Sequence, residues 1–255
     1  MTIALTSDQT DLAAAVAGFT ARHADVGATR AAFDKIASGE PQPSWQALVE
    51  QRLHAIHLPE SAGGDGAGLM ELAVVLEQAA FGLLPGPLLP TVLASHLIAE
   101  HSATGHLLPQ LVAGATAACA VSAAGLRAVR SAQGWRVTGE TTPVLGAAGA
   151  QVLVLGAAGP DGQDLWFSLG GALLGEAVIT PGEPVDLTRA IATVRLDELL
   201  IPDEQVLAVR TDQVRDVAAA LVAAEAAGVA RWCQQAGLGY VKVREQFGRT
   251  IGSFQ

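Results

Sequence analysis

Cysteine is scarce in this 255-residue chain, with only Cys119 and Cys233. Two thiols so far apart build neither a disulfide framework nor a Cys/His metal cluster, so both are expected to be inert core thiols. Lysine is equally rare: Lys35 and Lys242 are the only two among fifteen basic residues, which face 25 acidic ones for a net charge of -10. No basic patch is visible, which argues against nucleic acid or an anionic membrane as partner. No uninterrupted apolar stretch reaches the roughly 18 residues of a membrane span. The first residues lack the basic-then-apolar pattern of a secretory leader, with Asp8 and Asp11 falling early. A soluble, cytoplasmic chain is the expectation. P-loop, zinc-spaced and Gly-x-Ser-x-Gly patterns are all missing, so no metal site is expected.

Half of the residues are hydrophobic and 16% are charged, which disfavours disorder and supplies a real core. The first third reads as helices. Ser7 is placed to cap a helix over about 8–23, with Leu12, Val16 and Phe19 on one stripe. A second helix is expected over 28–37, a short one from Ser44, one over 69–81 and one over 91–100, with a last short one near 105–112. Prolines and glycines punctuate them. From about residue 115 the pattern changes to short apolar runs spaced by Gly, Pro and Asp: 117–122, 134–139, 152–156, 164–169, 178–179 and 190–196. These predict a small antiparallel sheet domain. Helical spacing returns over 212–244, with Val214, Ala218, Leu221, Val222, Val229 and Trp232 on one broad stripe. A helix of that length, roughly 50 Å, needs neighbours along its whole length. The division expected is 1–114 helical, 115–206 β and 207–255 helical, the last part being incomplete or completed by another chain.

Chemically, the four glycines at 63, 64, 66 and 68 follow no strand and read as a tight loop, not a dinucleotide fingerprint. His54 and His57 would share a helix face if the helix extends that far, but no third ligand accompanies them. Arg244 is more informative. It follows Tyr240 by four positions, at the end of the long helix. Two readings stand: a guanidinium that forks onto a phosphate or pyrophosphate, or one that satisfies the helix dipole.

The stretch from Tyr240 through Arg244, Gln246, Phe247, Gly248 and Ile251 to Phe254-Gln255 closely resembles the flavin-contacting motif of acyl-CoA dehydrogenases. Trp45, Leu58-Pro59-Glu60 and Gly63-Gly64-Asp65-Gly66 resemble the segment before that family's substrate-side helix. Asp186-Leu187-Thr188-Arg189 with Ile201-Pro202 resembles the closing strands of its middle domain. The likeness runs the length of the chain. It implies an α+β fold with an N-terminal helical domain, a small antiparallel β-barrel or sandwich domain, and the start of a C-terminal helical bundle.

The resemblance also implies FAD as cofactor, an acyl-CoA as substrate, and a homo- or hetero-oligomer with an acyl-CoA dehydrogenase-like subunit. A glutamate would take the α proton while flavin takes the β hydride. By position, Arg244 would reach the FAD pyrophosphate of a neighbouring subunit, with Gln246 and Phe247 beside it. In the β domain the family's Thr-Glu-Pro and Ser-Asp elements are replaced around Ser122-Ala123-Ala124-Gly125, and its tryptophan and hydroxyl around Thr138 to Leu145. Ser122 and Thr141 are what remains there as candidate cofactor contacts, and a weakened flavin pocket is expected. The family's usual base would fall past residue 255. Its less common site, twenty-six positions before Arg244, is Ala218. Glu225, seven residues on and roughly on the same face, is the one candidate base on the long helix. Three functions follow: a dehydrogenase, a catalytically silent subunit lending Arg244 to a partner's flavin, or a non-enzymatic scaffold.

Overall fold

The computed structural model describes residues 4–103 and 105–254. Seven helices come first: α1 (Ser7–His23), α2 (Val26–Ala31), α3 (Phe33–Ala37), α4 (Pro43–Glu50), α5 (Leu69–Phe81), α6 (Leu88–His101) and α7 (Leu108–Val112). Thr6, not Ser7, caps α1. Its Oγ1 accepts the Gln9 N–H at 3.2 Å while Gln9 Oε1 accepts the Thr6 N–H at 3.1 Å, a reciprocal box that local spacing alone permits at either residue. The helix expected over 28–37 is two, because Ala32 leaves helical geometry at φ −107, ψ 7. Helix α5 has the expected bounds. Helix α6 starts earlier than expected, with Pro90 tolerated in its first turn, where a missing N–H has no partner to lose.

Nine strands follow: β1 (Ala117–Cys119), β2 (Leu126–Ser131), β3 (Gly134–Glu140), β4 (Val144–Leu145), β5 (Val152–Ala158), β6 (Asp164–Gly170), β7 (Val178–Pro181), β8 (Ile191–Ile201) and β9 (Val206–Leu207); the short α8 (Gly171–Gly175) follows β6. They form one sheet, ordered β4-β8-β3-β2-β5-β6-β9, with β1 on β5 and β7 on β8. The antiparallel barrel or sandwich expected from sequence is corrected here. The sheet is open and mixed, since β5 runs parallel to both β1 and β2. Strand β2 went unforeseen because Arg127 and Arg130 interrupt its apolar residues.

The core is continuous between helices and sheet. Buried Thr91 on α6 grips β1, accepting the Ala117 N–H at 3.0 Å and donating to the Ala117 carbonyl at 3.2 Å. Trp45 on α4 donates its indole N–H to Gly114 O at 2.9 Å, tying the helices to the entry of the sheet.

The last long element is α9 (Thr211–Val243), 33 residues. Its expected stripe divides. Val214, Ala218 and Leu221 are buried, whereas Val222, Val229 and Trp232 are exposed. The buried side packs on α5, and closest at Gly228: a Cβ there would lie 2.1 Å from Glu77 O. Past α9, β10 (Glu245–Gln246) and β11 (Arg249–Thr250) close a small hairpin.

Candidate functional site

The hairpin is built around two residues. Phe247 (φ 52) and Gly248 (φ 79) are both left-handed, the backbone a two-residue antiparallel turn requires. Glycine adopts this freely; phenylalanine does so at a cost in strain. The turn holds the Phe247 ring 93% exposed. Nothing lies within 4 Å of where a Cβ of Gly248 would sit, so the turn's backbone is open to approach.

Arg244 ends α9, its N–H donating to Tyr240 O at 2.9 Å and its carbonyl accepting the Ile251 N–H at 2.8 Å. The main chain of Arg244 thus joins helix to hairpin while its side chain stands exposed. Gln246 is exposed as well, its side-chain amide donating to Glu245 O at 2.9 Å. A second cation went unnoticed in the sequence: the Arg249 guanidinium lies 3.9 Å from the centre of the Phe254 ring, which meets Phe247 edge-on at 6.3 Å. The hairpin therefore carries Gln246, Phe247 and Arg249 exposed around its turn, with Arg244 exposed at its base where it meets α9. Gln255 lies outside the described residues.

The β-domain candidates are elsewhere and differently engaged. Thr141 is buried, and its Oγ1 accepts the Val194 N–H at 3.0 Å. Ser122 is exposed, and its Oγ accepts the Ala124 N–H at 3.1 Å, a local turn contact. The two segments meet through Gly125 (φ +93), where a Cβ would lie 2.0 Å from Glu140 O. The nearby Trp166 is fully buried, and its indole N–H donates to Thr211 Oγ1 at 2.9 Å, whose own hydroxyl binds Asp164. Tested against FAD, the exposed hairpin suits a contact with phosphate and ring, since a free guanidinium and an open backbone turn face outward. Of the β-domain candidates, Thr141 does not suit a polar contact with the flavin ring, because it is buried and bonded by the Val194 N–H, whereas Ser122 is exposed and holds only a local turn.

Glu225 is held by a partner that sequence spacing did not reveal. Arg189, between β7 and β8, donates to it from both terminal nitrogens, at 2.8 and 2.6 Å. Val229 and Trp232, expected on its buried stripe, point to solvent.

The histidines and cysteines are separate from this region. His54 lies beyond the end of α4, so the shared helix face with His57 does not form. His54 Nε2 bonds Leu111 O and Val112 O at 3.1 Å, and burial lowers its pKa. His57 is buried against Ser95, and burial followed by the neighbouring His96 and His54 lowers its pKa to about 3. Among the described residues no group of three or more His, Cys, Asp or Glu could hold a metal ion. Cys119 is buried, its thiol pKa pushed up by desolvation, whereas Cys233 is exposed on α9 and is not a core thiol. No helix is long and apolar enough to cross a membrane among the described residues.

Comparison with known proteins follows the same lines. The family described as "Acyl-CoA dehydrogenase, N-terminal domain" matches residues 6–115. The chain is similar to the acyl-CoA dehydrogenase FadE34 of Mycobacterium tuberculosis, 33% identical over 214 residues, covering 84% of this chain and 28% of that protein. It is similar also to the acyl-CoA dehydrogenase IpdE2 of the same organism, 32% identical over 244 residues, covering 94% of this chain and 65% of the relative. The chain thus spans less than two thirds of the length of these curated relatives. Among solved structures, a variant of the Tcur3481–Tcur3483 steroid acyl-CoA dehydrogenase matches with a TM-score of 0.81 and 29% identity, over 97% of this chain and 70% of that one. The ChsE4–ChsE5 complex from Mycobacterium tuberculosis shares the fold, with a TM-score of 0.86 at 22% identity, over 100% of this chain and 72% of that one. With its helical first domain, its central sheet and the long helix that follows, the chain belongs to the acyl-CoA dehydrogenase family.

Proposed function

We propose that this chain serves the FAD-dependent α,β-dehydrogenation of an acyl-CoA thioester as a subunit that lends its Arg244 hairpin to a flavin seated mainly on another acyl-CoA dehydrogenase-like chain. One observation carries the choice of role. The hairpin leaves the Arg244 side chain exposed, while of the two β-domain candidates Thr141 is buried and bonded by the Val194 N–H and Ser122 is occupied only by a local turn. FAD, when bound, supplies the hydride acceptor that no side chain offers. Arg244 would then place its charge against the pyrophosphate, with Phe247 covering it from the turn and Gly248 leaving the backbone approachable.

Removal of an α proton needs a carboxylate within about 3 Å of it. Ala218 occupies one family position for that base, and Glu225 is engaged by Arg189. In this reading the proton acceptor is supplied by the partner chain that seats the flavin. The likeness to a steroid acyl-CoA dehydrogenase favours a steroid-derived acyl-CoA over a simple fatty one.

The test is flavin content. The chain purified alone is expected to be nearly colourless, and its complex with an acyl-CoA dehydrogenase-like chain from the same genome to be yellow. In that complex Arg244→Ala is expected to weaken FAD binding, because a charge-assisted hydrogen bond contributes about 1.5–3 kcal/mol, or roughly ten- to hundredfold in Kd. One flavin per isolated chain, with turnover of an acyl-CoA, would replace this reading with a self-sufficient dehydrogenase.

A further inference from the structure

The position of the Arg244 hairpin depends on how α9 is held, and the contacts that hold it are unevenly placed. Up to Gly228 the helix lies on α5. Beyond Arg231 it carries no buried residue, with Leu238, Tyr240 and Val243 all exposed. Between these two regimes, charged pairs reach it from two directions. From the sheet side, Arg189 forks onto both oxygens of Glu225 at 2.8 and 2.6 Å, and its Nε is steadied by Asp186 at 3.2 Å. From the α5 side, Glu77 and Gln78 bind Arg231 at 3.1 and 2.9 Å, with the guanidinium 4.4 Å from the Phe81 ring centre. The Arg189–Glu225 pair is the better shielded, its side chains 17% and 16% exposed against 35% and 32% for Arg231 and Glu77. Beside it opens a groove of about 440 Å³, lined also by Val222, Ala226 and Val229, so little apolar packing fastens the helix to the sheet there.

We infer that Glu225 and Arg189 are positioning residues: their bidentate pair, joined by Arg231 with Glu77 on the opposite flank, is the fulcrum that sets the direction of the outer part of α9 and hence the place of the Arg244 hairpin. The geometry makes this consequential. From residue 231 to residue 244 the helix extends about 20 Å. A tilt of about 5° at the clamp therefore carries Arg244 by roughly 1.7 Å, more than half of a hydrogen-bond length. A planar fork resists such a tilt, because both nitrogen–oxygen contacts must break together; a lysine would offer a single point charge instead. Glu225 thereby has a use that requires it to stay bonded to Arg189, unlike a base that must be free to reach a substrate.

The experiment is amide hydrogen exchange of the full chain, followed by mass spectrometry, for the parent, Glu225→Gln, Arg189→Met, and the pair Arg189→Met with Glu225→Gln. Each single change is expected to speed exchange at least tenfold over 222–243 while leaving 69–81 and 152–170 unchanged. The double variant is expected to exchange no faster than the single Glu225→Gln, because both changes remove one shared contact. Unaltered exchange over 222–243, an equal loss of protection throughout the chain, or additive effects in the double variant would each overturn the inference. The readout uses no flavin, so it stands apart from the proposed cofactor contact. Loss of FAD affinity in Arg244→Ala with undisturbed exchange in Glu225→Gln would sink the fulcrum and leave that contact intact.

Discussion

Acidification offers a direct test of how the N-terminal helices are held. His57 lies in the turn after α4, with its Nε2 paired to Ser95 Oγ at 3.0 Å and its Nδ1 buried without a partner. Because Ser95 Oγ donates to Val92 O at 3.2 Å, it is free to accept, which makes Nε2 the protonated nitrogen of a neutral ring. Desolvation, with His96 and His54 adding to it, lowers the pKa from 6.5 to about 3. The unfolded chain takes up this proton near pH 6.5 and the folded chain only near 3, so the unfolded state binds more protons in between. Stability is therefore complete above about pH 6.5 and falls as pH falls, by at most about 1.4 kcal/mol per unit. Over the roughly 3.5 units between the two values the loss reaches at most about 4.8 kcal/mol, a large part of the 5–15 kcal/mol that a domain possesses. His54 and His96, both with lowered pKa, act in the same direction. Urea unfolding followed by far-ultraviolet circular dichroism between pH 7 and pH 4.5 measures the slope. His57→Gln keeps a donor for Ser95 and cannot titrate, so its slope is expected to be shallower by roughly 1 kcal/mol per unit. Identical slopes in the two proteins would refute the assignment of a buried neutral imidazole.

Two further substitutions probe the packing that positions the site. Gly228→Ala would force a methyl toward Glu77 O and is expected to separate α9 from α5 at a cost of about 1–3 kcal/mol, read from the urea midpoint. Thr91→Val leaves the N–H and carbonyl of Ala117 without their side-chain partner, for a loss of about 1–3 kcal/mol in the same assay; Thr91→Ser should recover most of it.

Much of the order of elements could be read along the chain because helix and strand leave short-range signatures. The period of apolar residues marks α5 and most of α9, and the run Val152 to Gly156 marks β5. The spacing from Tyr240 to Phe254 identifies the family motif before any coordinate is known. Burial and pairing are different quantities, since each depends on what another segment brings. Val222 and Trp232 share helical spacing with Leu221, yet Leu221 is covered and the other two face outward. The direction of β5 relative to β1 and β2 is set by how connections cross the sheet, and a strand has the same two-residue period whichever way its neighbour runs. Thr141 reads as an available hydroxyl until Val194, fifty-three residues later, donates its backbone N–H to it. Glu225 reads as a free acid on a helix until a loop thirty-six residues earlier in the chain delivers Arg189 to both its oxygens, at a distance no local pattern encodes.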